Sequence, residues 1–493
     1  MKKLIAILLV AALAVSICAC VPKEDAAAQS GAVKLKRDGT TPQVDTFSVG
    51  FGRMDISPKE AVPISGISAN STDRMSTTIH DTLMVTCIAM TDAQNNTRLF
   101  FTIDLQRPDV SIFDMAATAL EESTGISEEH MYFTATHTHS GPDTYNNSFP
   151  AIATYKGLVL SQTIEAGIAA LEDRKPADIY YSQVEAEKMN SIRHYTNVTE
   201  DGELIYWGDQ YRVGTCSVNT TTKHVYEADA TMFVLRIARE DDKDIVLANW
   251  RAHPHLYTST TSFRISADFV GSFRTAMEAM YDCYFAYYQG AAGNTNATSK
   301  IAGELLTKEY GEYGRIMAEY ALEAMKNETK LENEVIDSRQ NQRVFEQNHT
   351  TDHLVPYAEI CRQMWKDGYS NAEATAYGEP YGVYGPVAAA SIISRAKKGK
   401  TITSELNAVT LGDQICIVTA PHELFDTNSQ WLEGESPYDM TLTFGYTNGM
   451  NGYVPSAQAY EYGCYEANCS NLMPGGGEQI QEEFLVMLED MYG

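Results

Sequence analysis

The sequence predicts an α/β protein with mixed β-sheets and flanking helices, folded as a single large catalytic domain. Apolar, β-branched runs of strand length alternate along the chain with segments whose apolar residues recur at helical spacing. No Pro/Gly/Ser-rich linker or block of like charge divides these elements, and no internal repeat is evident. Several apolar runs also stop at residues able to bind a metal ion or move a proton, and sites in α/β folds gather at such strand ends.

The first 46 residues are expected to lie outside this domain. A Lys pair, an apolar run and small residues predict a signal peptide over residues 1–20, in which Ile17-Cys18-Ala19-Cys20 resembles a bacterial lipoprotein box with Cys20 as the lipidated residue. Residues 21–46 lack an apolar period and predict a flexible tether before a domain at 47–493. We therefore expect an extracytoplasmic protein, attached to the bacterial membrane at the cell surface through an N-terminal lipid anchor, or alternatively secreted.

Composition narrows the classes of partner. A formal charge of −28 repels phosphates, so it argues against nucleic acid as a partner. Two of the nine cysteines fall in the signal peptide, and the others are too scattered to define a disulfide framework. Cys464 and Cys469 are close enough in sequence to pair.

The elements of the domain follow from hydrophobic periodicity and from breaker residues. Strands are predicted at Phe47–Pro58, Leu83–Met90, Leu99–Leu105, from Met131 through His139, Ala177–Lys188, Asp229–Ile237, Ile245–Ala252, Phe285–Gln289, Ile415–Thr419 and Leu442–Gly445. Helices are predicted at Ser111–Ser123, Leu158–Leu171, Ser272–Tyr281, Lys308–Lys326 and Glu478–Met491. The region Thr329–Lys400 is polar and rich in tyrosine, and we interpret it as a lid or a surface insertion.

The stretch Met131–Tyr145, MYFTATHTHSGPDTY, runs from an apolar strand into polar chemistry. Period-two alternation places His137 and His139 on one face, with imidazoles about 7 Å apart at a rise of about 3.3 Å per residue. That spacing suits one metal ligand beside one acid, base or substrate contact. Taken alone, two hydrogen-bonded histidines at a strand end explain the pattern equally well.

Other apolar runs stop at comparable residues, namely Asp104, His253, Glu423 and the loop that holds Tyr453. Two histidines and one carboxylate are a common catalytic zinc set, with a position left for water. Each residue by itself is more often structural. Their recurrence at strand ends makes a metal site about as probable as that alternative.

These residues belong to longer motifs that resemble, in order, the catalytic domain of the neutral/alkaline non-lysosomal ceramidases, in the manner of its short bacterial lipoprotein members. The motifs are Gly50-Phe51-Gly52-Arg53-Met54-Asp55-Ile56-Ser57-Pro58, Thr136-His137-Thr138-His139-Ser140-Gly141-Pro142, Asn249-Trp250-Arg251-Ala252-His253-Pro254, Ile265-Ser266-Ala267-Asp268, Gly290-Ala291-Ala292-Gly293-Asn294, Pro421-His422-Glu423, Asn448-Gly449-Met450-Asn451-Gly452-Tyr453-Val454-Pro455 and Gly463-Cys464-Tyr465-Glu466.

The resemblance implies a zinc ion, with ligands that carry over by motif to His137, His253, Glu423 and Tyr453. It also implies that His139 and Arg193 contact the scissile amide and the polar head of the substrate.

The chain departs from the family in the Gly290–Asn294 region. Asn296 stands where characterised ceramidases carry a serine, and Asn294 stands where they carry an acid. From their positions at strand ends, Asp104 and Asp268 are predicted either to orient ligand histidines or to cap the strands.

The function expected from the resemblance is zinc-dependent hydrolysis of N-acyl amide bonds, with an N-acyl lipid such as ceramide, or a related small amide, as substrate. Two alternatives stay open at this point. One is a zinc amidase that acts on another N-acyl lipid or on a cell-wall amide. The other is a surface-binding lipoprotein of the same fold without turnover.

Overall fold

A computed structural model describes residues 40–66, 74–209, 220–257 and 263–492. The predicted signal peptide, its Cys20 and most of the predicted tether lie outside these ranges. Within them, no helix combines the length and the apolar character that crossing a membrane requires.

The β-strands follow one another along the described chain with short connections. They are β1 Ser48–Asp55, β2 Thr78–Ile79, β3 Met84–Thr91, β4 Thr97–Ile103, β5 Met131–Ala135, β6 Lys175–Glu185, β7 Ser191–Ile192, β8 His194–Thr199, β9 Leu204–Asp209, β10 Thr220–His224, β11 Thr231–Arg239, β12 Asp244–Trp250, β13 Arg264–Ile265, β14 Cys283–Gln289, β15 Thr295–Asn296, β16 Thr329–Lys330, β17 Ile336–Glu346, β18 Thr401–Leu411, β19 Ile415–Thr419, β20 Glu423–Leu424, β21 Met440–Phe444 and β22 Tyr453–Val454.

The α-helices lie between these strands and at the C-terminal end of the described chain. They are α1 Val110–Thr124, α2 Pro150–Glu172, α3 Phe269–Met280, α4 Tyr310–Ala324, α5 Val355–Lys366, α6 Asn371–Gly378, α7 Pro386–Arg395, α8 Asp426–Glu435, α9 Ala457–Tyr462, α10 Tyr465–Cys469 and α11 Gly476–Met491.

Two mixed sheets form the centre of the fold. The larger has the order β14-β12-β11-β6-β1-β3-β4-β5, with β16 paired beside β6, and the smaller has the order β17-β18-β19-β21. Neighbours pair antiparallel except β4 with β5, β12 with β14 and β19 with β21, which run parallel. The expected mixed α/β fold is confirmed.

The sheets pack against each other and are covered by helices on their outer faces. Tyr288 of the larger sheet stacks on Phe444 of the smaller at a ring-centroid distance of 4.4 Å. Helices α1 to α4 cover the other face of the larger sheet, and α8 and α11 cover that of the smaller. Burial of apolar side chains in these layers supplies the main stabilisation, since it is worth about 25 cal/mol per Å².

The region Thr329–Lys400 is more ordered than its composition predicts. Its first part contributes β17, which pairs with β18 over eleven residues from Ile336 to Glu346. Its second part, α5 to α7, has a small apolar core of its own. Cys464 and Cys469, which the sequence left open as a disulfide, are both buried free thiols.

Candidate metal centre

Backbone hydrogen bonds join three chain segments at the ends of β5, β19 and β21. The amide of Ala135 donates to the carbonyl of Tyr446 at 3.1 Å, and the amide of Tyr446 donates to the carbonyl of His422 at 3.1 Å. His137 and Glu423, which directly follow these segments, are thereby brought to one place.

The predicted extension of β5 through His139 is wrong. The strand ends at Ala135, and His137 has a φ of +66° in the left-handed region, which side chains seldom adopt. This turn abolishes the alternation on which the expected separation of about 7 Å rested. Nε2 of His137 and Nε2 of His139 lie 3.2 Å apart, so both imidazoles face one point.

Backbone carbonyls orient the three imidazoles of the site in the same way. The Nδ1 atoms of His137, His139 and His253 lie 2.6 Å from the carbonyl of Gln106, 2.6 Å from that of Gly66 and 3.1 Å from that of Thr295, respectively. A carbonyl only accepts, so each Nδ1 carries the proton and each Nε2 is left with a lone pair.

The three Nε2 atoms face one another and the carboxylate of Glu423. Oε2 of Glu423 lies 3.4 Å from Nε2 of His137 and 3.3 Å from Nε2 of His253. Nε2 of His253 is buried and makes no hydrogen bond within the described chain. Ligands about 2.0–2.1 Å from a tetrahedral zinc are separated by roughly 3.4 Å, so these residues fit that ion.

The protonation states suit a cation as well. Burial lowers the pKa of His137, His139 and His253 well below the usual value, so all three imidazoles are neutral. Burial raises the pKa of Glu423, and His137 and Arg193 oppose that rise. Lone pairs facing one another in a buried site repel unless a cation lies between them.

Two tyrosines border Glu423. Tyr453 pairs with Glu423 in the short parallel ladder of β20 and β22, and its hydroxyl hydrogen bonds to the carboxylate. The hydroxyl of Tyr446 lies 3.4 Å from Oε2 of Glu423, and its ring packs on His137 at a centroid distance of 4.2 Å. Burial raises the pKa of Tyr453, so this phenol is protonated.

Arg193 approaches the site from the opposite side and is held by a buried ion pair. Its Nε lies 2.6 Å from Oε1 of Glu466, and its guanidinium lies 5.2 Å from the centroid of the Tyr453 ring. Arg193 also lines the cavity described below. The sequence named Arg193 but missed Glu466 as the group that fixes it.

The two asparagines of the departing motif have different surroundings. Asn296 is buried, and its Oδ1 lies 3.0 Å from Nε2 of His255, whose ring lies beside that of His139. Asn294 hydrogen bonds to Asp426 through both ends of its amide, at 2.7 Å and 2.9 Å. Asn294 is therefore a structural residue at the start of α8.

Asp104 and Asp268 do not orient the imidazoles, which carbonyls hold instead. Asp104 binds Arg274 at 2.8 Å and the amide of Met84 at 2.8 Å. Asp268 accepts backbone amide hydrogens on both sides of the Tyr257–Phe269 connection and caps α3. The capping alternative is the one observed.

Gly66 permits the close approach of its strand to His139. Its φ is +90°, and a Cβ atom there would lie 2.5 Å from the Cα of His139. No side chain fits at this distance, so glycine is required for the carbonyl of Gly66 to reach Nδ1.

The candidate ligands open onto a cavity of about 910 Å³. Its wall includes His137, His139 and Glu423 on one side, and residues of α5, α6 and α7 on the other. The helical part of the region first interpreted as a lid or insertion thus contributes directly to the cavity. A cavity of this size accommodates a ligand of drug or lipid-fragment size.

Sequence reasoning missed three residues around the ligands: His255, Tyr446 and Gly66. His255 stands two residues after His253 in the sequence His-Pro-His, so its spacing was a usable signal. Tyr446 and Gly66 carried no such signal, because both act through positive-φ backbone that brings distant segments together.

Comparison with known proteins identifies the architecture. No protein-family model and no curated sequence matches the chain. Among solved structures, the neutral ceramidase from Pseudomonas aeruginosa superposes with a TM-score of 0.66 at 14% identity, covering 91% of this chain and 75% of that one. A ceramidase complexed with C2 gives a TM-score of 0.66 at 14% identity, covering 90% and 75%. The chain therefore has the neutral ceramidase fold, as the sequence motifs predicted.

Proposed function

We propose that the protein is a zinc-dependent hydrolase of N-acyl amide bonds. The observation that carries this proposal is the convergence of three buried, unprotonated imidazole nitrogens and one carboxylate, at ligand spacing, on the wall of a large cavity. The likeness in fold to proteins named ceramidases supports an amide as the bond that is cleaved.

His137, His253, Glu423 and Tyr453 would hold the zinc ion. A bound zinc ion acts as a Lewis acid and lowers the pKa of its water to about 7. The phenol of Tyr453 is protonated and hydrogen bonds to Glu423, so it is the weakest of the four ligands and the one able to move.

His139 is the proposed acid and base. Its Nδ1 proton is fixed on the carbonyl of Gly66, which leaves Nε2 free to take a proton from water as the oxygen adds to the amide carbon. The same Nε2 then gives that proton to the departing nitrogen as the carbon–nitrogen bond breaks. One water is consumed, and a carboxylic acid and an amine are released.

Arg193 is proposed to position the polar part of the substrate. Its guanidinium lies on the cavity wall and is fixed by Glu466 rather than free to fold away. A fixed, buried cation stabilises negative charge that develops on the amide oxygen at little reorganisation cost.

The substrate we propose is an N-acyl lipid of the ceramide type or a related amide. The cavity wall mixes polar groups with apolar residues of α7 such as Pro386, Val387 and Ala390, which suits an acyl chain next to a polar head. An amidase for another N-acyl lipid or for a cell-wall amide would use the same centre.

A binding protein without turnover is the second candidate. Asn294 favours it, because the position that is acidic in ceramidases is here a neutral amide engaged with Asp426. Nothing in the proton path through His139 requires that acid, so we rank hydrolysis first.

The test is metal analysis of the purified protein together with a hydrolysis panel. We expect about one zinc per chain and release of fatty acid from N-acyl sphingosine or from a short N-acyl amine. Zinc at full occupancy without release from any amide would support the binding protein, and the absence of any bound metal would overturn the proposed centre.

A further inference from the structure

The cavity wall carries a charge opposite to that of the protein as a whole. The chain has a formal charge of −28, yet the wall contains Arg107, Arg193, Lys300 and Arg362 against Asp143 and Glu423 as its acids. At physiological ionic strength charges are screened over about 8 Å, so a small ligand in the cavity responds to these groups and little to the distant surface.

Three of the four cations have no carboxylate partner in the described part of the chain. Arg193 is paired with Glu466, whereas the guanidinium of Arg107 lies 3.9 Å from the Tyr145 ring centroid. That of Arg362 lies 4.4 Å from the ring centroid of Trp365, one turn further along α5. An aromatic face holds a cation in place but leaves its N–H groups available to an anion.

These cations come from three separate chain segments and meet at one cavity. Arg107 directly follows Gln106, whose carbonyl orients His137, so it stands beside the candidate metal ligands. Lys300 follows β15, and Arg362 lies in α5 on the other wall. Arg107 and Arg362 are half-buried, so they are features of the cavity rather than of the open surface.

We propose that the preferred substrate is an N-acyl amide whose amine part carries an anionic group, such as a carboxylate, a sulfonate or a phosphate. This inference rests on the proposed amide hydrolysis and specifies its substrate class. A neutral head would leave three cations facing it without partners, whereas an anionic head forms charge-assisted hydrogen bonds with them.

The test compares three amides that differ only in head charge. N-Dodecanoyl taurine, N-dodecanoyl ethanolamine and N-dodecanoyl-2-(trimethylammonio)ethylamine share the acyl chain and the two-carbon spacer, and their heads are anionic, neutral and cationic. We expect kcat/KM to favour the anionic amide over the neutral one by about 10-fold to 100-fold, the worth of a hydrogen bond to a charged group. N-Dodecanoyl glycine, as a fourth arm, separates carboxylate from sulfonate.

Variants then assign the preference to the cavity. Arg107→Gln, Lys300→Gln and Arg362→Gln should each lower the ratio of anionic to neutral kcat/KM, and the triple variant should abolish it. Lys366→Gln is the matched control, since Lys366 lies one turn beyond Arg362 on α5 but is not part of the cavity wall. The control should keep the wild-type ratio.

The outcomes separate the two proposals. Hydrolysis of the neutral amide at the same or a higher kcat/KM than the anionic one overturns the substrate class and leaves amide hydrolysis standing. A ratio that survives in the triple variant also overturns it. Failure to hydrolyse any of the four amides and N-acyl sphingosine counts against the proposed function itself.

Discussion

Two buried clusters in this protein have similar residues and opposite electrostatic needs. One is the group of His137, His139 and His253 beside Glu423, and the other is the group of His194, Cys464 and Glu466. Both bring potential metal ligands within ligand-to-ligand distance. Composition and burial alone therefore do not distinguish them.

Their hydrogen-bond partners do. In the second cluster, Nε2 of His194 lies 2.9 Å from Glu466, and its Nδ1 lies 3.0 Å from the hydroxyl of Tyr462. Glu466 also binds Arg193, which lowers the pKa of the carboxyl well below its usual value despite burial. This cluster already contains its cation, the guanidinium, whereas the first has lone pairs directed at one point and no donor for them.

The largest expected effect is on metal content. His253→Ala should lose the zinc and with it all measurable amide hydrolysis, because a buried ligand of the first cluster is removed. His194→Ala is the matched variant and should keep about one zinc per chain by elemental analysis. If His253→Ala and His137→Ala both retain full zinc occupancy, or if His194→Ala loses it, the assignment of the metal to the first cluster fails.

The next effect distinguishes a ligand from an acid and base within the first cluster. His139→Ala should keep its zinc and lower kcat by about 10² to 10⁴, the usual worth of a positioned proton-transfer group. Nε2 of His139 lies 3.2 Å from Nε2 of His137, a distance that a fourth metal ligand would also show. Loss of zinc from His139→Ala would therefore mean that this residue is a ligand.

The second cluster should affect stability rather than metal binding. Glu466→Gln leaves the buried guanidinium of Arg193 without its counter-charge, which should cost about 3–5 kcal/mol in the free energy of unfolding measured in urea. Glu319→Gln, which removes the exposed partner of Arg315, is the control and should cost at most about 1 kcal/mol. Equal losses in the two variants would show that the Arg193 pair is not the constraint described here.

How much was predictable from sequence follows from the same comparison. Hydrophobic periodicity located most strands, and the ordered motifs carried the fold and the candidate ligands. The closeness of His137 and His139 was not predictable, because it depends on a positive φ at His137 that period-two alternation contradicts. Glu466 stood within a recognised motif, but its bond to Arg193 joins residues 273 positions apart, which local pattern does not reveal.

The smallest expected effect concerns Asn296, which stands where ceramidases carry a serine. Its Oδ1 accepts from Nε2 of His255, and the ring of His255 lies 6.0 Å from that of His139, so Asn296 acts on the proton path through a neighbour. Asn296→Ala should lower kcat about 10-fold, or about 1.4 kcal/mol of barrier, with KM and zinc content little changed. Asn296→Ser restores a hydroxyl and should widen the substrate range toward ceramide without being required for turnover. The assay is hydrolysis of N-acyl sphingosine and of a short N-acyl amine by wild type and both variants at equal zinc content. A wild type inert on every amide beside an active Asn296→Ser would make the native chain an inactive relative, because the metal site would then be competent and only the missing hydroxyl limiting.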